Sequence, residues 1–239
     1  MAINYQELAS KISRDYQDYP GLIGILWIGS SSFGIQDEET DLDIRLLVDH
    51  PDKKFPMKQF TANNVQIEID EMNWGWLTEN LAVDSDQRWI REKSIILYDP
   101  QKQITQKFQQ LAALMDTETR KQLWQYFKDV FYSNEIEKCL KRQAQETTSL
   151  YFYKAVNSIL KFIFLYHNQP VPSFKWRWHF LTKDNLLSQD TILDLKSILL
   201  TSKPIETKLK LLISVEEQLQ QLMIEKGYPK EKVTEHWRF

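Results

Sequence analysis

Two aspartates stand one residue apart in the run TDLDIRLLVD, where Leu42, Ile44 and Leu46 alternate with Asp41, Asp43 and Arg45. Period-two alternation is a strand's pattern, and it puts the two carboxylates and the guanidinium on one face and the apolar side chains on the other. Neighbouring like charges resist ionising together unless a cation lies between them, and a divalent ion with oxygen ligands is a common remedy. Mg²⁺ suits such a pair, since it takes one or two carboxylates and completes its shell with water and substrate phosphate oxygens. The chemistry expected is that of a bound nucleotide.

A second acidic strand follows in VQIEID, where Val65, Ile67 and Ile69 form one face and Gln66, Glu68 and Asp70 the other. Beside the first strand, either Glu68 or Asp70 could complete a metal cluster or act as base toward an incoming hydroxyl. Upstream, the apolar run ending at Ile28 breaks at Gly29-Ser30-Ser31-Ser32. Glycine lets backbone approach a ligand closely, and the amides and hydroxyls after it can donate to phosphate. It is not a Walker loop, lacking Gly-Lys-Ser/Thr, nor a three-glycine dinucleotide fingerprint. An EF-hand starting at Asp37 fails as well, because Leu42 stands where that loop needs glycine.

Ile28-Gly29-Ser30, then ten residues, then Asp41-Leu42-Asp43, then Ile67-Glu68-Ile69: this arrangement resembles the nucleotidyltransferase superfamily named for DNA polymerase beta. The motifs cover residues 27–70. The chain after them is similar in layout to the kanamycin and lincosamide nucleotidyltransferases, whose helical domain faces the metal site across a cleft. The resemblance implies a two-domain enzyme that moves a nucleoside monophosphate from a nucleoside triphosphate, with ATP expected, to an acceptor hydroxyl. By it Asp41, Asp43 and Glu68 hold two Mg²⁺ ions, with Asp70 as the alternative third carboxylate. Gly29, Ser30, Ser31 and Arg45 meet the nucleotide, and Lys154 in YKAVNSILKF grips its phosphates. The acceptor implied is a small molecule such as an antibiotic; RNA or protein acceptors, as in toxin-type relatives, are the alternative. A non-catalytic nucleotide-binding module is the reading from another class.

Other residues divide between structural and functional readings. Arg88 and Arg91 in DQRWIREKS are surface ion-pairing groups or substrate contacts. The cluster FKWRWHF, Phe174 to Phe180, interleaves Lys175 and Arg177 with Trp176 and Trp178, which suits core packing but could stack on a base or grip phosphate. His179 reads as structural. Cys139, the single cysteine, has neither a disulfide partner nor zinc spacing, and the four histidines offer no zinc pattern either.

The elements that must position these groups fall into two halves. Before residue 103 helix and strand patterns mix: a helix from Asn4 to Tyr19 ended by Pro20-Gly21, strands Leu22 to Ile28, Leu42 to Val48 and Val65 to Ile69, a helix from Trp74 to Leu81, and a strand Ser94 to Tyr98. After it strand signals nearly vanish. Helices are expected over Ile104 to Met115, Thr117 to Tyr132, Asn134 to His167, Gln189 to Leu200 and Pro204 to Lys226, with Gly227 as a cap. Asp116 with Glu118, and Asn134 with Glu137, are the expected caps between the first three, although the breaks are also compatible with continuous helix. The fold class expected is α+β: a nucleotidyltransferase α/β domain with a small mixed sheet over 1–103, then an all-helical domain over 104–239 that grips nucleotide and acceptor.

Composition agrees with an ordinary globular protein of 239 residues, 42% hydrophobic and 26% charged, with too few glycines and prolines for a low-complexity chain. The net charge of −3 hides an asymmetry. Residues 1–103 hold 10 Lys and Arg against 18 Asp and Glu, and the remainder hold 20 against 15. That division fits a carboxylate-rich half for cations and a basic half for an anion, or simply Lys-rich helical surfaces. No signal peptide or membrane span is legible, so a cytoplasmic protein with no membrane partner is expected, and a homodimer is compatible with this reading.

Overall fold

The structure is a computed structural model that describes residues 4–37, 39–50, 57–78 and 86–235. It divides into two compact units, residues 1–116 and 117–239.

In the first unit, α1 (Tyr5–Asp15) buries Tyr5, Leu8, Ala9 and Ile12 at helical spacing and starts where Asn4 Oδ1 accepts from the Glu7 amide at 3.1 Å. Gly21, at φ +71°, turns the chain into β1 (Leu22–Ile28). A single helical turn α2 (Gly29–Ser32) then leads toward β2 (Leu42–Val48). β3 (Lys58–Ala62) and β4 (Val65–Asn73) form a hairpin whose turn residues Asn63 and Asn64 have φ 53° and 63°, the positive angles a two-residue primed turn requires. β3 has no strand signature in the sequence, because its exposed residues carry no apolar alternation. α3 (Trp74–Thr78) is the described part of the expected Trp74 to Leu81 helix, the remainder lying outside the described residues. α4 (Asp86–Lys93) and β5 (Ile95–Tyr98) follow.

The sheet is mixed, in the order β3-β4-β2-β1-β5. β2 runs antiparallel to β1 and parallel to β4, so the two acidic strands are immediate neighbours pointing the same way. One face is apolar, joining Ile25, Trp27, Leu42, Ile44, Leu46, Val65, Ile67 and Ile69 with the buried side of α1. Alternation places Asp43, Arg45, Glu68 and Asp70 on the other face, where Leu26, Ile28 and Leu47 pack with Leu77 and Ile104. Ile104 belongs to α5 (Gln103–Lys128), which lies against β1 at Gly24: a Cβ there would meet Ile104 Cδ1 at 2.4 Å and the Tyr98 carbonyl at 2.5 Å.

α5 begins in the first unit and ends in the second as one helix, running through Asp116 and Glu118 where a break with caps was one expectation. The second unit continues with α6 (Ser133–Lys141), α7 (Gln145–Tyr166), a 3-10 turn (Phe174–Trp176), α8 (Arg177–Lys183), α9 (Gln189–Leu200), α10 (Ile205–Glu225) and α11 (Lys230–Glu235). The single helix expected over Asn134 to His167 is two helices, separated where Gln143 takes a positive φ of 58°. α6 is capped by Glu216 of α10, whose Oε1 accepts from the amides of Tyr132 at 2.9 Å and Ser133 at 3.1 Å. An Asn134-Glu137 capping box is therefore not what starts this helix. Glu216 is 0% exposed and its Oε2 is buried without a hydrogen bond. Burial pushes its pKa up to about 7, against the opposing pull of hydrogen bonds from Ser133 and Tyr132. No helix among the described residues is long and apolar enough to cross a membrane.

Candidate functional site

The site is built on the ends of β1, β2 and β4. In the sheet register Asp43 lies opposite Ile28 on one side and Glu68 on the other, and Arg45 lies opposite Asp70. Asp43 and Glu68 are thus cross-strand neighbours on one face, while Asp70 stands one pair further along. Of the two candidates for third carboxylate, Glu68 is the one beside the aspartates.

Gly29 ties the serine turn to this pair. Its φ is +83°, a region that L side chains rarely enter, and a Cβ built on it would stand 2.1 Å from Asp43 Oδ2. The glycine therefore answers two requirements at once, a backbone angle and a space already taken by the carboxylate.

The three serines behave differently. The Ser31 hydroxyl is buried and accepts from Trp27 Nε1 at 2.9 Å, so it holds the turn against β1. Ser32 donates to the Gly29 carbonyl at 2.8 Å. Ser30 remains half-buried with no hydroxyl hydrogen bond among the described residues, and the first amides of a helical turn have no partner within it.

Asp41 precedes β2 and follows Thr40, which is held on two sides. Tyr5 donates its hydroxyl to the Thr40 carbonyl at 2.9 Å, and the Thr40 hydroxyl bonds both the Asp37 amide and Asp37 Oδ1 at 2.8 Å. Burial, with Asp37 and Asp41 close by, raises the Tyr5 pKa. Burial also pushes Asp43 up to about 6, reinforced by the charges of Asp41 and Glu68 and by the hydrogen bond its protonated form can donate to Glu68, while Arg45 opposes it from 4.0 Å.

This carboxylate set is electrostatically incomplete, and hard oxygen donors crowded until one of them resists ionisation are what Mg²⁺ would relieve. Among the described residues no three His, Cys, Asp or Glu side chains form a metal-holding group by themselves. The arrangement fits a cation that takes two carboxylates and draws its other ligands from substrate and water, and it does not fit a closed protein cage.

One supporting residue escapes sequence reasoning. Gln59 of β3 lies opposite Glu68 and donates from Nε2 to Glu68 Oε1 at 2.6 Å, orienting the carboxylate. The Asn63-Asn64 pair was the available signal for its hairpin. Arg88 and Arg91 are buried rather than surface groups, Arg88 pairing with Glu92 at 2.9 Å and Arg91 stacking on Trp76 at 4.8 Å. Lys154 lies in the second unit, exposed on α7 and over the Tyr151 ring at 5.5 Å. A cavity of about 680 Å³ flanks the serine turn on the α1 side, lined by Asn4, Tyr5, Trp27, Ser31, Ser32 and Gln36 among others. It holds no carboxylate and no cation, unlike the acidic face.

No protein-family model matches the chain, and no curated protein matches it in sequence. In three dimensions it is similar to a nucleotidyltransferase-like protein from Exiguobacterium sibiricum 255-15, with a TM-score of 0.53 and 16% identity over 95% of this chain and 78% of that one. At that identity the likeness is one of fold, and what the site does has to be argued from its own residues.

Proposed function

We propose that the protein transfers a nucleoside monophosphate from a nucleoside triphosphate to an acceptor hydroxyl and releases pyrophosphate. The observation that carries this reading is the contact of Gly29 with Asp43, which brings a phosphate-sized turn, two aspartates and Glu68 to one end of one sheet. The nucleotidyltransferase-like fold supports it.

Asp41 and Asp43 would hold Mg²⁺, two ions in the form the family resemblance implies, whose chemistry is to neutralise charge on the α-phosphate and the departing pyrophosphate. Gly29 and Ser30 hold the terminal phosphates through backbone amides and the Ser30 hydroxyl, with Ser31 keeping the turn in place. Arg45 balances negative charge beside Asp43. Glu68, oriented by Gln59, accepts the proton of the acceptor hydroxyl as its oxygen bonds to the α-phosphorus and the bond to the bridging oxygen of pyrophosphate breaks. Lys154 is proposed as a further phosphate contact, ATP as the triphosphate, and a small hydroxyl-bearing molecule such as an antibiotic as the acceptor.

The test is incubation with α-phosphate-labelled ATP, Mg²⁺ and separate pools of aminoglycosides, lincosamides and RNA. Label in a covalent product that disappears in Asp41→Asn and Asp43→Asn supports the reading. Metal-dependent nucleotide binding with no product in any pool would make the chain a binding module.

A further inference from the structure

We propose that the exposed face formed by α7 and the following 3-10 turn is a docking surface for single-stranded nucleic acid. Its sequence is unusual within this chain: residues 147–183 contain no Asp or Glu, yet they carry Lys154, Lys161, Lys175, Arg177 and Lys183 together with ten aromatic side chains. Four of those rings, Phe152, Phe162, Phe164 and Phe180, are core, and four more are half-buried. Two are exposed. Tyr153 is 45% exposed and Phe174 50%, and Leu150, one turn before Tyr153, is 61% exposed.

The two exposed rings come from different elements and meet, with centroids 5.9 Å apart at 51°. They are held there by a buried cation. The Arg177 guanidinium lies 5.7 Å from the Phe174 ring, donates from Nε to the Pro172 carbonyl at 3.0 Å, and donates from Nη1 to Asn157 Oδ1 on α7. Asn157 is one turn from Tyr153, so the same hydrogen bond that seats the 3-10 turn also fixes the spacing of the rings. This is a rigid aromatic platform, and exposing it to water without a partner is unfavourable.

Lys154 and Lys175 flank the platform, both exposed, lying over Tyr151 at 5.5 Å and Trp176 at 5.2 Å. Among the described residues neither is ion-paired. Planar rings for stacking and cations for phosphate, on a stretch without Asp or Glu between residues 147 and 183, are the complement of an unpaired strand, whose bases offer π-faces and whose backbone offers charge. A duplex keeps its bases stacked on one another and cannot offer them to these rings. The surface needs no chemistry at Asp41 or Asp43, so it goes beyond the transfer reading and stands or falls separately. Where both hold, it adds nucleic acid to the acceptors.

The experiment is fluorescence anisotropy of a short labelled oligouridylate with the full chain, in EDTA and without nucleotide, so that no transfer can occur. Saturable binding that weakens between about 50 and 200 mM salt is expected. Tyr153→Ala and Phe174→Ala, made separately and checked by circular dichroism, should each weaken it by roughly 5- to 150-fold. Lys154→Ala and Lys175→Ala should reduce the salt dependence. Absence of binding at low salt, unchanged affinity in both aromatic variants, or displacement by inorganic polyphosphate as effective as by unlabelled strand would each overturn the proposal. So would an oligomer that the aromatic variants dissociate while the oligonucleotide stays unbound, which would make the face a contact between copies of the chain.

Discussion

The Oδ2 atom of Asp43 occupies the space that a Cβ on Gly29 would need, 2.1 Å from where that atom would stand. Sequence spacing places these two residues at neighbouring strand ends, and the close approach leaves no room between the turn and the carboxylate for a side chain at position 29.

Gly29→Ala tests that close approach directly. The substitution meets both a positive φ and an occupied site, so it should cost about 1–3 kcal/mol in urea denaturation, and it should displace Asp43 enough to abolish transfer. Gly21→Ala is the comparison, with φ +71° but nothing within 4 Å of the added Cβ. It should lose less stability, the cost of strain alone, while transfer persists.

Asp43→Asn should separate activity from stability. Because the folded-state pKa of Asp43 is raised to about 6, the stability it contributes is present at low pH and is lost as pH rises through 6. Without divalent cations at pH 8, the asparagine variant should be more stable than wild type by on the order of 1–3 kcal/mol, yet inactive. A variant less stable than wild type under those conditions would show that the crowding of carboxylates is not a cost to the fold.

Glu68 and Asp70 share a face but not a neighbour, since Glu68 lies opposite Asp43 and Asp70 opposite Arg45. Glu68→Gln should abolish transfer, whereas Asp70→Asn should leave most of it. Gln59→Ala, which removes the donor to Glu68, should lower kcat by about tenfold with little change in KM, as the orientation of the carboxylate suffers. Equal losses in Glu68→Gln and Asp70→Asn would contradict this assignment.

Glu216 gives the second unit its own pH dependence. With a folded-state pKa raised to about 7, its contribution is complete below the unfolded value near 4.5 and disappears as pH passes 7. The expected loss of stability between pH 5 and pH 8 is on the order of 2–3 kcal/mol, and Glu216→Gln, which still accepts from the Tyr132 and Ser133 amides, should remove most of that slope. Denaturation midpoints of both proteins across that range check it.

The faces of the strands were legible from residue order alone. Period-two alternation puts Asp43, Glu68 and Asp70 opposite Leu42, Ile67 and Ile69 whatever the sheet order, because the backbone pleat allows no other division. Residue order also determined α9, whose expected bounds Gln189 to Leu200 are those observed, since Ser188 caps its start through its own hydroxyl, a local interaction. The Gly29 turn was legible because only glycine tolerates both its angle and its neighbour.

What tertiary structure decided was every choice that local chemistry leaves balanced. The parallel pairing of β2 with β4, which selects Glu68 over Asp70 as Asp43's neighbour, follows from a β3 hairpin whose exposed strand has no apolar signature. The inward turn of Ser31 toward Trp27 depends on a side chain four residues away whose direction is set by the core. The start of α6 is fixed by a carboxylate 83 residues further on, because orphan helix amides take whichever acceptor folding brings to them.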